Sequence, residues 1–209
     1  MHTWVKVCGL TRSDDVAAAV AAGADAIGLV LAESSPRRVD LTQAAALADG
    51  VPALRILVTV DARPESLLEA VAVVGADGVQ PHGEHAADSA AAAAAAGLLA
   101  LRPIPMTAAG PSVALEQIPV DQIPLFDTGH RTLHGGTGTS FPWDLAAGVD
   151  RRFVLAGGLG PDNVADAIRV SGAWGVDASS RLESAPGLKD HGRVAAFVRE
   201  AKRMEARPG

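Results

Sequence analysis

A (β/α)8 barrel in one compact domain, residues 1–209, is the fold this sequence predicts, and it does so on three grounds. Eight short apolar runs alternate with longer Ala-rich stretches of helical character, the pattern of repeated βα units around a parallel sheet. Three related segments, AAGADAIGLV, VVGADGVQPH and VSGAWGVDAS, each set Gly-Ala at a helix end just before a strand. Their Ala24, Ala76 and Ala173 are spaced by close to two and four units of about 25 residues, and one unit of that size is a strand, a helix and two loops. The chain is also of the right length: 209 residues hold eight such units near the lower end of the barrel range, with no linker rich in Pro, Gly or Ser between them. An open doubly wound sheet is the rival architecture.

In chain order, the first strand is Trp4 to Cys8, followed by a helix from Asp15 to Ala22. The apolar run Asp25 to Leu31 is the second strand, with a helix from Thr42 to Ala48; Leu54 to Val60 is the third, and Pro64, which suits a first helical turn, opens the helix that runs to Val74. Asp77 to Gln80 precedes the Ala-rich helix Ala86 to Ala96, and Leu98 to Arg102 precedes Ser112 to Ile118. Ile123 to Asp127 leads into a Gly-rich loop and a short helix, Trp143 to Ala147. Phe153 to Ala156 is followed by a helix from Pro161 to Val170, and Trp174 to Ala178 by a closing helix from about His191 to Met204.

Composition narrows the function classes. Nearly half the residues are hydrophobic and a fifth charged, as in a compact globular protein, and with no Tyr the core is aliphatic. A formal charge of −6 with no basic stripe argues against a nucleic-acid partner. An anionic ligand must then be attracted locally, by backbone N–H groups and one or two cations. Cys8, the only cysteine, excludes an internal disulfide and fits a reducing compartment. No apolar run nears the roughly 20 residues of a membrane helix, and the N-terminus lacks a secretory pattern, so a cytoplasmic protein without a membrane partner is expected.

Three segments combine small residues with strand ends: Gly135 to Ser140, Ala156 to Gly160, and Asp177 to Ser180. Glycine lets the backbone approach an anion, and the loops after strands seven and eight are common phosphate sites in barrels. Neither a Walker loop nor a Rossmann turn is present, so no nucleotide cofactor is expected. The histidine spacings, including His82 with His85 and His130 with His134, match no metal motif, and no metal is expected either.

Candidates for chemistry sit at strand ends. Cys8 would lie at the catalytic rim, although a lone Cys in an apolar strand is more often inert packing; a base role calls for a depressed thiol pKa, which cations or helix N-termini can supply. Asp127 closes the sixth strand, where Asp often starts a turn, and acid catalysis would require its carboxyl protonated. Arg37 and Arg38 follow Ser34-Ser35-Pro36, where one guanidinium can hold a carboxylate and the other be solvated. Asp61 is equally a candidate cap for the helix at Pro64.

Taken together, Val5-Lys6-Val7-Cys8-Gly9-Leu10-Thr11, Asp14-Asp15, Ala22 to Gly28, Ser35-Pro36-Arg37, Gly78 to Gly83, Phe126-Asp127-Thr128, Gly135 to Gly138, Phe141-Pro142-Trp143, Ala156 to Leu159, Pro161 to Val164 and Val176 to Ser180 resemble, in order and across essentially the whole chain, the phosphoribosylanthranilate isomerases of tryptophan biosynthesis. The resemblance implies a cofactor-free Amadori rearrangement of a small phosphorylated substrate, by a monomer or homodimer. It assigns Asp127 as general acid and Cys8 as general base. Arg37 becomes the grip on the anthranilate carboxylate, and His82, Gly136, Gly138, Gly157, Gly158, Asp177, Ser179 and Ser180 the other substrate contacts. The chain departs from the family pattern at Thr59, Pro81, Thr139 and Arg181, the last a long cation where a Gly beside phosphate is usual. A relaxed aminoaldose isomerase and a non-catalytic phosphosugar-binding barrel are the alternatives.

Overall fold

The computed structural model of the chain describes residues 2–107, 109–111, 113, 115–127 and 142–204. The barrel strands are β1 (Trp4–Cys8), β2 (Ala26–Val30), β3 (Leu54–Val60), β4 (Gly78–His82), β5 (Leu99–Thr107), β6 (Gln122–Asp127), β7 (Val154–Leu155) and β8 (Gly175–Ala178). Each pairs in parallel with its neighbours in chain order. β8 returns to β1 with Gly175 opposite Trp4, which closes the sheet. The rival open sheet is thereby excluded.

The connecting helices are α1 (Ser13–Ala21), α2 (Leu41–Ala48), α3 (Pro64–Val74), α4 (Ala86–Ala95), α5 (Val164–Ser171) and α6 (His191–Lys202). The Gly-Ala repeat does the local work expected of it: Gly23, Gly75 and Gly172 follow α1, α3 and α5 with φ of 90°, 68° and 72°. In that left-handed conformation each glycine reverses the chain into the next strand at no Cβ cost. In α4 the buried positions Ala86, Ser89, Ala90 and Ala93 form one helical stripe, small enough to lie close to the sheet.

Four expectations need correction. The helices expected at Ser112 to Ile118 and Trp143 to Ala147 are, among the described residues, single 3-10 turns at Leu115–Gln117 and Trp143–Ala146. Pro111 and Pro119 bracket the first too closely, the residue before a proline being driven out of the helical region, and the second ends where Ala147 turns extended at φ −66° and ψ 133°. β5 runs five residues beyond Arg102 through Pro103 and Pro105, pairing with β6 from Ala100↔Gln122 to Pro105↔Asp127. α5 starts at Val164 rather than Pro161, because Asn163 accepts the Gly160 N–H at 2.8 Å and donates to the Gly158 carbonyl at 3.0 Å, holding 161–163 as a turn. After β8, a small antiparallel hairpin of Glu183–Ala185 and Leu188–Lys189 carries no sequence signal that predicted it.

The barrel has two apolar layers. Trp4, Ala26, Ile56, Leu101, Leu125, Val154 and Ala156 fill its interior, while the larger cluster lies between sheet and helices. Trp4 stacks on Trp174 with ring centroids 5.3 Å apart at the N-terminal end, leaving the opposite mouth to polar side chains. No helix among the described residues is long and apolar enough to cross a membrane.

Candidate active site

Side chains alternate along a strand, so the interior cluster decides which others face inward. On β1, Trp4 belongs to that cluster, and Lys6 and Cys8 share its face. On β6, Leu125 belongs to it and Asp127 stands two residues on. Cys8 and Asp127 are the last residues of their strands, and both therefore stand on the inner surface of the C-terminal mouth.

A buried polar chain joins the strands between them. The fully buried Lys6 ammonium donates to Gln80 Oε1 and Asp177 Oδ2, each at 2.9 Å. Gln80 Nε2 in turn lies 3.1 Å from His82 Nε2. Gly28 makes room for this arrangement, since a Cβ there would come within 2.7 Å of Cys8 Sγ and 3.1 Å of Lys6 Cε. Among the described residues Asp177 Oδ1 is buried without a hydrogen bond, an acceptor held at the bottom of the mouth.

This environment sets the protonation states. Burial pulls the Lys6 ammonium down, but the charges of Asp177 and the Cys8 thiolate outweigh it and hold it above its ordinary value. Burial pushes the Cys8 thiol up; Lys6 and Lys189 oppose the rise without cancelling it, and Asp177 adds to it. The depressed thiol expected from sequence is therefore not found. The cations are present, but withdrawal of the thiolate from water costs more than they return. Burial also pulls the His82 imidazolium down, against the charge of Asp127, so the ring is neutral at neutral pH. Because Cys8 is the only cysteine, an ultraviolet titration of thiolate absorbance reads it alone. The expected midpoint lies above the ordinary 9.0, and Lys6→Met moves it further up. A midpoint below 9.0 in the parent protein would contradict this balance.

Arg37 enters from the loop after β2. Its Nε and Nη2 donate to the two Glu183 oxygens at 2.7 Å each, a forked pair that fixes the guanidinium plane. Lys189, in the same hairpin as Glu183, donates to Glu183 Oε1 at 2.8 Å and to the Ser179 carbonyl at 3.2 Å. Burial raises the Glu183 carboxyl, but its bonds to Arg37 and Lys189 win and keep it ionised below the usual carboxylate range. Gly9 permits the crossing: at its φ of 75°, a Cβ would lie 2.5 Å from Arg37 Cδ and 2.9 Å from Ser179 Oγ. Arg37 is thus brought beside the Cys8 end of β1, while Arg38 is exposed, 3.7 Å from a still more exposed Glu33.

The loop after β7 turns on Gly157 and Gly158, with φ of 85° and 67°, and Ser179 and Ser180 follow β8 alongside it. Gly136 and Gly138 lie outside the described residues. Asp61 does not cap α3; its carboxylate accepts the Glu84 N–H at 2.7 Å and shapes the loop beside His82. Four side chains that organise the site had no role in the sequence reading: Lys6, Gln80, Glu183 and Lys189. Lys6 left a signal, a charge on the inward face of an apolar strand. Gln80 sat inside a quoted motif, and the hairpin pair left none.

Comparison with known proteins places this geometry in a family. Residues 5–200 match the family model described as N-(5'phosphoribosyl)anthranilate (PRA) isomerase. The N-(5'-phosphoribosyl)anthranilate isomerase of Rubrobacter xylanophilus is 40% identical over 202 residues, covering 95% of this chain and 98% of that protein. The crystal structure of phosphoribosyl anthranilate isomerase from Thermotoga maritima superposes with a TM-score of 0.82 at 30% identity, covering 97% of this chain and 100% of that one. A further crystal structure of such an isomerase, in complex with reduced 1-(o-carboxyphenylamino)-1-deoxyribulose 5-phosphate, gives 0.79 at 30% identity with the same coverage. On the barrel, the family model and relatives that match along almost their whole length, the chain belongs to the phosphoribosylanthranilate isomerase family.

Proposed function

We propose that the chain catalyses the Amadori rearrangement of N-(5-phosphoribosyl)anthranilate to 1-(o-carboxyphenylamino)-1-deoxyribulose 5-phosphate in tryptophan biosynthesis, with Asp127 as acid and Cys8 as base. Asp127 donates a proton to the ring oxygen as the C1–O bond breaks, opening the furanose to a Schiff base. The minor thiolate form of Cys8, whose pKa burial raises, removes the C2 proton; the C2–H electron pair becomes the C1=C2 bond and the C1=N pair moves onto nitrogen, giving an enolamine. A proton added at C1 and one lost from the C2 hydroxyl then give the ketone, so the product is an isomer and no redox partner is needed.

The remaining groups divide the substrate between them. Arg37, with its Nη1 edge outside the Glu183 pair, holds the anthranilate carboxylate. Gly157, Gly158, Ser179 and Ser180, together with Gly136 and Gly138, cradle the phosphate, and Asp177 Oδ1 accepts a sugar hydroxyl. Neutral His82, beside Gln80, contacts the sugar without adding charge.

The observation that carries the reading is that Cys8 and Asp127 end different strands on the inner face of one mouth, with cationic side chains and Gly-rich loops around it. The test is loss of substrate fluorescence on addition of purified protein, without metal or nucleotide. No turnover by protein of native secondary structure would end it. The Arg37 grip has its own check. Glu183→Gln frees the guanidinium plane and should raise KM about tenfold, the size of one lost hydrogen bond between charged groups, with a smaller change in kcat. An unchanged KM would remove Glu183 from that role.

A further inference from the structure

The departure at Arg181 falls where two loops of the phosphate cradle meet. Arg181 belongs to the 3-10 turn Ser180–Leu182 that leaves β8, two residues after Ser179. Its side chain does not turn out to solvent; it crosses to the loop after β7. There Nη1 donates to the Gly158 carbonyl at 3.1 Å, and Nη2 donates to both oxygens of Asp162 at 2.9 and 2.7 Å. The stem lies against the backbone of Gly160, where a Cβ would be 3.0 Å from Arg181 Nε and 3.3 Å from Arg181 Cβ. Gly160 is thus the space that the guanidinium occupies.

Two features separate this bridge from a fixed structural clamp. Asp162 is 66% exposed and Arg181 34%, so water reaches the carboxylate side of the pair and screens it, which leaves it weakly held. Its position is also particular: the guanidinium spans Gly158, whose φ of 67° shapes the loop after β7, and the turn that carries Ser180. A phosphate monoester offers up to two negative charges and three acceptor oxygens, and a forked guanidinium binds such an anion better than it binds a solvated carboxylate.

Building on the phosphate cradle of the proposed function, we propose that Arg181 is an additional phosphate-binding residue of this chain, parked on Asp162 and drawn from it by the phosphate of the substrate. In a protein of net charge −6, it supplies a local cation beside backbone donors. Asp162 keeps the guanidinium over the two loops rather than free in solvent, so little ordering remains to be lost when the anion arrives. The outcome is a site that discriminates by charge at its phosphate end.

Inorganic phosphate is the probe, used as a competitive inhibitor of the parent protein and of Arg181→Gly, Arg181→Met and Arg199→Met. The inhibition constant and the substrate KM should each rise about tenfold or more in both Arg181 variants, as for one lost bond to a charged group, with the loss in KM rather than kcat. The inhibition should also become less sensitive to salt. Arg199→Met removes the same charge from α6 and should leave the constant unchanged. Arg181 variants that bind phosphate like the parent, with only a lower Tm, would make the residue a loop clamp and overturn the proposal. Absence of competitive inhibition by phosphate in the parent would overturn it differently, by showing that the cradle itself is misplaced.

Discussion

Asp127→Asn is expected to lower kcat by at least about 10²-fold, the usual cost of removing a positioned general acid. Asparagine keeps the shape of aspartate at the end of β6, so the barrel and its interior packing should survive. What it lacks is a proton that can pass to the ring oxygen as the C1–O bond breaks. An alkoxide would then have to leave unprotonated, and the reaction stalls before the Schiff base forms. Binding of the reduced product analogue should remain within a few-fold of the parent, which separates chemistry from affinity. Turnover within a few-fold of the parent would remove Asp127 from the role.

Cys8→Ala should cost at least as much, about 10²-fold or more in kcat, but at the later step. The furanose can still open on Asp127, whereas nothing at the end of β1 can take the C2 proton. Cys8→Ser separates shape from basicity: the hydroxyl fits the space beside Gly28, yet it is a far weaker acid than a thiol and is not a thiolate substitute. Both variants should therefore be severely impaired, serine with the smaller change of shape of the two. Near-normal turnover in Cys8→Ala would refute the base assignment, and loss of binding without loss of kcat would recast Cys8 as packing.

The sequence was most legible where backbone rules act locally. Left-handed glycines after α1, α3 and α5 announce helix ends, and the eight apolar runs fall on the eight barrel strands. It misled where proline has two meanings. The strand expected to end at Arg102 continues through Pro103 and Pro105 along β6, whereas Pro111 and Pro119 confined a predicted helix to one 3-10 turn. Motif order named the family, and the resemblance implied an acid and a base for it. It could not supply the polar network around them, because Lys6 meets Gln80 and Asp177 across 74 and 171 residues, and Arg37 meets Glu183 across 146. Nor could it foresee the direction of the Cys8 shift, which depends on how deeply the sulfur is buried once Gly28 and Lys6 close around it.

β7 is the narrowest stave of the barrel: only Val154 and Leu155 pair, with Leu125 and Phe126 on one side and Gly175 and Val176 on the other. An anion bound in the proposed phosphate cradle would act as a suture where the wall is thinly stitched. Amide hydrogen exchange along Val154 and Leu155 should then slow when ligand binds, more than along β2 and β3, whose five registered pairs need no such reinforcement.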